Sequence, residues 1–392
     1  MPTDTPNVGA HPVLHWTEGG AARAARWRSE SGAPPARRVV IADDRITADD
    51  AYGLACQGTA LLWRGDFQNA RQMLLALASR ADRRPRKPKK SAASSMPRSP
   101  AEAFHLHRQA QSQRARTLGA LLVPLDEDYR IPLRRAPDVR RACAEAYGPA
   151  EGPSVASLRE VLGLIGAHEW RIKGIEIAAI GGRIHPHYGV FAPIRREYVD
   201  LVATAPLPDF RSSSSLAFDI GTGTGVLAAV LARRGIKRVV ATDWDLRALA
   251  CARENLKRLG LAEHVEVVEA DLFPEGRAAL VVGNPPWVPA RPSSPIERGI
   301  YDPESRMLRG FLGALPAHLE PGGEGWLILS DLAEHLGLRQ RSELLAAFDA
   351  AGLKVVDRSD VRPKHARSCD ETDPLHAARA AEVTSLWRLG VS

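Results

Sequence analysis

Two regimes of hydrophobic patterning divide the chain. From about residue 195 onward, short apolar runs of β type alternate with stretches of helical spacing, the pattern of a doubly wound α/β sheet. LAFDI (216–220) predicts a first strand, followed by a glycine-rich turn and the helix VLAAVLARR. RVVATD (238–243) predicts a second strand, with the helix LRALACARENLKRLG after it. VEVVEAD (265–271), ALVVGNPP (279–286), GEGWLILSD (323–331), LKVVDRSD (353–360) and VTSLWRLG (383–390) complete seven strands. No convincing helix separates the last two, so an antiparallel strand pair is expected to close the sheet.

Before residue 195 the period changes. Residues 47–81 carry apolar residues at helical spacing, with Thr47 and Asp49 or Asp50 as caps and room for two or three helices. Helical spacing returns over 101–122, 137–147 and 155–167, with proline and glycine breaks between. Residues 172–193 shift to short alternating runs around Gly181-Gly182, which predicts a β-hairpin. The organisation expected is a mainly helical N-terminal region (1–82), a linker (83–100), a helical accessory region (101–180) and an α/β domain (181–392) opened by the hairpin.

Composition narrows the class. The 392 residues are 44% hydrophobic and 25% charged, ordinary for a globular protein with two or three domains. The four cysteines, Cys56, Cys143, Cys251 and Cys369, lie far apart and form no CxxC pair, which argues against a disulfide scaffold or zinc ribbon and suits a reducing cytoplasm. No basic segment precedes an apolar core at the N-terminus, and no window nears the roughly 20 apolar residues of a membrane span. A soluble, cytoplasmic protein with no membrane association is the expectation. Net charge is +7, and residues 83–98 hold seven basic residues and no acidic ones, so the rest of the chain sums to zero. Such a Pro, Lys and Ser mixture reads as a disordered tether, either a solvated spacer or a segment attracted non-specifically to RNA or a ribosomal surface.

The first predicted strand runs into Asp219-Ile220-Gly221-Thr222-Gly223-Thr224-Gly225. Glycines here let the backbone turn sharply and approach a ligand, with the amides of the following helix start facing an anionic group. The dinucleotide pattern GxGxxG would need glycine at 226, where the chain has Val226, and neither GxxxxGK[ST] nor GxSxG occurs. The turn resembles the first motif of the class I S-adenosylmethionine-dependent methyltransferases, an acidic residue followed by GxGxG. The resemblance covers about 185–390, roughly half of the chain. It implies a seven-stranded Rossmann-like fold with S-adenosylmethionine as cofactor. Gly221, Gly223 and Gly225 would pass under the methionine part, with Asp219 near its ammonium group. Asp243, 22 residues beyond Gly221, would accept from both ribose hydroxyls; Asp271 would accept from the adenine amino group, with Leu272 and Phe273 packed near the base.

The fourth strand runs into Gly283-Asn284-Pro285-Pro286-Trp287, which resembles the [ND]PP[YFW] motif of the branch that methylates planar amide or exocyclic amine nitrogens, the small-domain and glutamine-N5 type. The lone pair of such a nitrogen is delocalised. The Asn284 side-chain carbonyl and the Pro285 backbone carbonyl can accept its two N–H groups and turn the lone pair toward a methyl donor. Pro285 and Pro286 stiffen the loop, and Trp287 offers a face for stacking. Glutamine-modifying members usually have Tyr where this chain has Trp287, a departure that bears on the substrate and not on the reaction.

Other constellations are weaker. His185 with His187, and His365, Cys369 and His376, lack the spacing of a zinc site, and no metal is expected. Lys364, His365 and Arg367 fall in the turn between the sixth and seventh strands, where they could line a substrate entrance; Val288–Tyr301 reads as a substrate lid presenting Arg291, Arg298 and Tyr301. The resemblance implies methyl transfer to a planar nitrogen of a translation-related macromolecule, a glutamine of a release factor or ribosomal protein, or an RNA base. A small-molecule amine methyltransferase and an inactive S-adenosylmethionine-binding scaffold are the alternatives.

Overall fold

A computed structural model describes residues 12–83, 99–208, 215–363 and 370–392. Most of the basic tether, and Lys364, His365, Arg367 and Cys369, lie outside the described residues. Among those described, 12–83 and 108–169 form one compact unit, and 99–107 with 170–392 a second.

The first unit is built on a mixed sheet of six strands: β1 (Val13–Glu18), β2 (Ala21–Arg28), β3 (Arg38–Ala42), β4 (Thr59–Trp63), β5 (Leu121–Leu125) and β6 (Ser154–Ser157), in the order β1-β2-β6-β5-β4-β3. β1 and β2 form a hairpin across Gly19-Gly20, both at positive φ (57° and 81°), the geometry a two-residue turn needs to match strand twist. Helical residues outnumber strand residues here, as expected, but the sheet is a finding the periodicity did not supply. It also joins stretches read separately as 1–82 and 101–180, since β4 pairs with β5 and β2 with β6. Within 47–81 the structure has two helices, Ala48–Cys56 and Phe67–Asp82, with the fully buried β4 between them. Thr47 caps the first, its hydroxyl accepting from the Asp50 N–H.

The second unit opens with a short antiparallel pair, β7 (Ile175–Ile177) and β8 (Gly182–Ile184), around left-handed Gly181, the hairpin expected there. Seven strands follow: β9 (Leu216–Ile220), β10 (Arg238–Asp243), β11 (Val265–Glu269), β12 (Ala278–Gly283), β13 (Leu319–Ser330), β14 (Leu353–Val361) and β15 (Thr384–Val391). Their order is β11-β10-β9-β12-β13-β15-β14, parallel except for β15, which runs antiparallel between β13 and β14. This is the doubly wound α/β sheet with its antiparallel close. The six-residue helix His376–Ala381 separates the last two strands, where no helix was expected.

Both faces of this sheet are buried, and the strands say how. Trp326 and Ile328 of β13 join the core formed with the helices Glu197–Thr204 and Val226–Arg233. Leu327 and Leu329 join the opposite core, with Phe311 of the helix Arg306–His318 and Phe348 of the helix Arg341–Ala350. Period-two alternation of apolar residues on both faces makes near-continuous hydrophobic strands, the mark of a sheet covered by helices on two sides. The loops left free to carry chemistry are those at the carboxyl ends of the strands. Among the described residues no helix is long and apolar enough to cross a membrane.

Candidate functional site

β9 and β12 are neighbours, with Ile220 paired in register with Gly283. The glycine turn and the Asn-Pro-Pro-Trp loop therefore leave the sheet side by side at the same edge.

Gly221, Gly223 and Gly225 all take positive φ (70°, 55° and 80°), a conformation costly for any residue with a Cβ. A Cβ at Gly223 would point into open space, whereas one at Gly225 would sit 3.2 Å from the Ala252 backbone, so one glycine leaves room and the other permits helix packing. Asp219 lies beneath the turn, 1% exposed. Its Oδ2 accepts from the Thr222 hydroxyl (2.6 Å) and from the Ala228 N–H (3.0 Å) in the first turns of the following helix. Burial, with the Asp243 charge adding to it, lifts the carboxyl from its ordinary 3.8 to about 6 against those two bonds. Asp219 thus ties the strand end to the turn and to the helix start.

Asp243 ends β10 and faces the same turn. Its Oδ2 accepts the Gly223 N–H and its Oδ1 the Asp245 N–H, each at 3.0 Å. Burial raises its pKa while these backbone donors oppose the rise. Each oxygen keeps acceptor capacity for a further donor such as a hydroxyl. Trp244, next in the chain, is exposed and carries the Arg298 guanidinium 5.7 Å over its ring.

The Asp271 carboxylate is exposed and accepts from Arg306 at 2.9 Å. Leu272 adopts φ 83°, uncommon for a residue other than glycine, and its carbonyl accepts from the Thr242 hydroxyl. The Phe273 ring stacks on His318 (4.5 Å between centroids) and on Phe311 (5.7 Å).

In the Asn-Pro-Pro-Trp loop, the Trp287 indole Nε1–H donates to Asn284 Oδ1 at 2.9 Å. One face of the Trp287 ring is covered by the Arg195 guanidinium, 4.9 Å from the ring centroid. Arg195 in turn donates to Glu197 (3.0 Å) and to the buried Glu382 (2.9 Å), which also accepts from the Ser330 hydroxyl (2.6 Å). Sequence reading missed Arg195, Glu382 and Ser330, which no motif links. Thr222 could have been found, because it stands inside the glycine turn. The loop beyond Trp287 is tied at its base, Val288 N–H to the Ile300 carbonyl (3.1 Å) and Asp302 N–H to the Val288 carbonyl (2.9 Å), and holds a short 3₁₀ turn, Pro295–Gly299. Tyr301 packs near Phe104 of the same unit, with ring centroids 6.5 Å apart.

The two hairpin histidines have structural partners. His185 Nδ1 donates to the Arg171 carbonyl (2.6 Å) and His187 Nε2 bonds Glu254 (2.7 Å). Burial pushes the Glu254 carboxyl up, but bonds from Arg258, His187 and Arg171 bring it down to about 2.

Residues 181–351 match the family described as methyltransferase small domain. Among curated proteins, the chain is 37% identical over 145 residues to a ribosomal protein L11 methyltransferase of Pelotomaculum thermopropionicum, covering 36% of this chain and 39% of that protein. It is 34% identical over 150 residues to a release factor glutamine methyltransferase of Cereibacter sphaeroides, covering 34% and 51%. The chain thus spans about half, or less, of the length of these relatives. Among solved structures, a methyltransferase from Pyrococcus furiosus is similar at 18% identity and a TM-score of 0.38, over 59% of this chain and 99% of that one.

Proposed function

We propose that the chain is an S-adenosylmethionine-dependent N-methyltransferase acting on a planar amide or exocyclic amine nitrogen of a translation-related macromolecule. The observation that carries this reading is the adjacency of the glycine turn after β9 and the Asn-Pro-Pro-Trp loop after β12, fixed by the pairing of Ile220 with Gly283. The residues present fit the cofactor: Gly223 leaves open space on the turn, and the Asp243 carboxylate has acceptor capacity beyond its two backbone bonds. Gly221, Gly223, Gly225 and Asp243 would hold it, with Asp219 keeping the turn in shape and Asp271 and Leu272 at the adenine end. When bound, it supplies a methyl already activated on a sulfonium.

The chain's own work is then alignment. Asn284 Oδ1 and the Pro285 carbonyl accept the two N–H groups of the acceptor nitrogen, which localises its lone pair and stabilises positive charge as the new bond forms. Pro286 stiffens the loop that holds both carbonyls. Both relatives named above carry protein acceptors in their names, and one of them a glutamine, which supports a protein acceptor, with a side-chain amide as its methylated group, here. The seven basic residues of 83–98 favour RNA as the second reading.

The test is transfer of tritiated methyl from S-adenosylmethionine to a cell lysate by the full chain, followed by separate protease and RNase digestion. Protease-labile label on a side-chain amide is expected. RNase-labile label would move the acceptor to RNA. Asn284→Ala should bind the cofactor normally yet transfer at about one hundredth of the rate or less. Cofactor binding by the unaltered chain with no transfer to lysate or to small amines would overturn the enzymatic reading in favour of a scaffold.

A further inference from the structure

We propose that Arg195 is a positioning residue for the acceptor site: stacked on Trp287 and pinned by Glu382, it holds the indole N–H that fixes the Asn284 carboxamide with its oxygen in place. The inference rests on the function proposed above and adds a part the sequence motif does not contain.

A carboxamide can rotate by half a turn with little change in shape, exchanging an acceptor for two donors. In the methyl-acceptor site that exchange is disabling, because Asn284 must accept. An indole N–H can only donate, so the atom facing it at 2.9 Å is the oxygen. A Phe or Tyr ring at 287 has no N–H at that place. The Trp therefore fixes the orientation of Asn284 from within the loop, provided the indole is itself held in one plane.

Arg195 holds it. The guanidinium lies 4.9 Å from the ring centroid, within the range of cation–π attraction. It is in turn gripped by Glu197 through Nε at 3.0 Å and by Glu382 through Nη2 at 2.9 Å. Glu382 is 1% exposed, and its Oε1 takes the Ser330 hydroxyl as well, so the anchor is a buried, doubly bonded carboxylate. Ser330 ends β13 and Glu382 stands two residues before β15, which places the anchor at the ends of two paired strands beside β12. Strand ends are stiff mounts, and the loop bearing the chemistry inherits that stiffness through an aromatic ring. Nor is Arg195 spare surface charge: its side chain is four-fifths covered, with 20% exposed.

The experiment labels the full chain with [¹⁵N]tryptophan and follows the indole N–H signals, Trp287 being identified by its loss in W287F. In the unaltered chain that signal should lie downfield and exchange slowly with solvent. It should move upfield in N284A, which removes the acceptor, and in R195M, which removes the stack. R195K, which restores the charge, should bring it at least halfway back. R195Q keeps a donor for Glu382 without the charge and gives the same reading if R195M does not fold. Where methyl transfer is measured, R195M should lower kcat about tenfold with the S-adenosylmethionine KM unchanged. A Trp287 signal unmoved in the folded Arg195 variant overturns the proposal, and so does a moved signal with kcat unchanged. The spectral arm needs no methyl acceptor, so failure of the methyltransferase reading would show as absent transfer while the indole signal still judges Arg195.

Discussion

Asp219→Asn isolates the charge of one buried carboxyl. Both bonds to this side chain, from the Thr222 hydroxyl and the Ala228 N–H, converge on the single oxygen Oδ2, so a carboxamide oxygen can keep both. What the substitution removes is the ionisation. In the folded chain burial lifts this carboxyl from 3.8 to about 6, a rise of about 2 pH units or about 3 kcal/mol. Because the folded pKa lies above the unfolded one, stability is fully present below pH 3.8 and is lost as pH rises through 6. The unaltered chain and D219N should be unfolded by denaturant in parallel from pH 4 to pH 8. Subtracting one curve from the other cancels the titrating groups that do not sense Asp219, and leaves its own ionisation with its coupling to Asp243. The difference should shift toward the Asn variant by about 2.4 kcal/mol between pH 4 and pH 7, the first part of the loss lying below pH 4. The new amide N–H₂ adds a penalty that does not vary with pH, so the slope is the test and not the sign at any one pH. A flat difference would refute the claim that Asp219 is held at the cost of its own desolvation.

Replacing Asp243 with Ala should weaken S-adenosylmethionine binding by up to about 1.5–3 kcal/mol per hydroxyl bond lost, measured by calorimetry; unchanged affinity would contradict its assignment to the ribose. Gly225→Ala must place a Cβ at φ 80° and 3.2 Å from the Ala252 backbone, and should destabilise the second unit by about 1–3 kcal/mol in thermal unfolding. With burial pushing the thiols of Cys143 and Cys251 up to about 12 while Cys56 is exposed, iodoacetamide at pH 8 should alkylate Cys56 well before either, as read by peptide mass spectrometry.

The second unit was legible because its signals agree with one another. LAFDI, RVVATD and ALVVGNPP are each bounded by turn residues and each carries a residue with chemistry at or near its end, and β9, β10 and β12 fall within a residue or so of those runs except where the Asn-Pro-Pro turn ends the last. The first unit lacked such boundaries. TALLW is a five-residue segment, four of its residues apolar, between two helical patterns, and periodicity alone does not tell a buried strand from a buried helical turn. SVAS runs straight into the helix Leu158–Lys173 and reads as its first turn. AARAARWR has the composition of a helix, and only pairing with β1 and β6 makes it a strand. The site divided in the same way. Asp219, the three glycines, Asp243 and Asn284 sit at motif spacing, whereas Arg195 and Glu382 are 187 positions apart and meet only through the fold.

The placement of β6 sets a timetable for synthesis. The β1–β2 hairpin is complete by Arg28 and can close in microseconds, but the neighbour that covers the far edge of β2 begins at Ser154. At ribosomal rates of 5–20 residues per second, that edge waits on the order of ten seconds with its backbone donors and acceptors unpaired. Closing so long a loop is also entropically slow. The nascent chain must therefore carry an open β-edge through most of the making of its first unit, and substitutions that make β2 stickier should lower the yield of folded protein without changing the stability of what does fold.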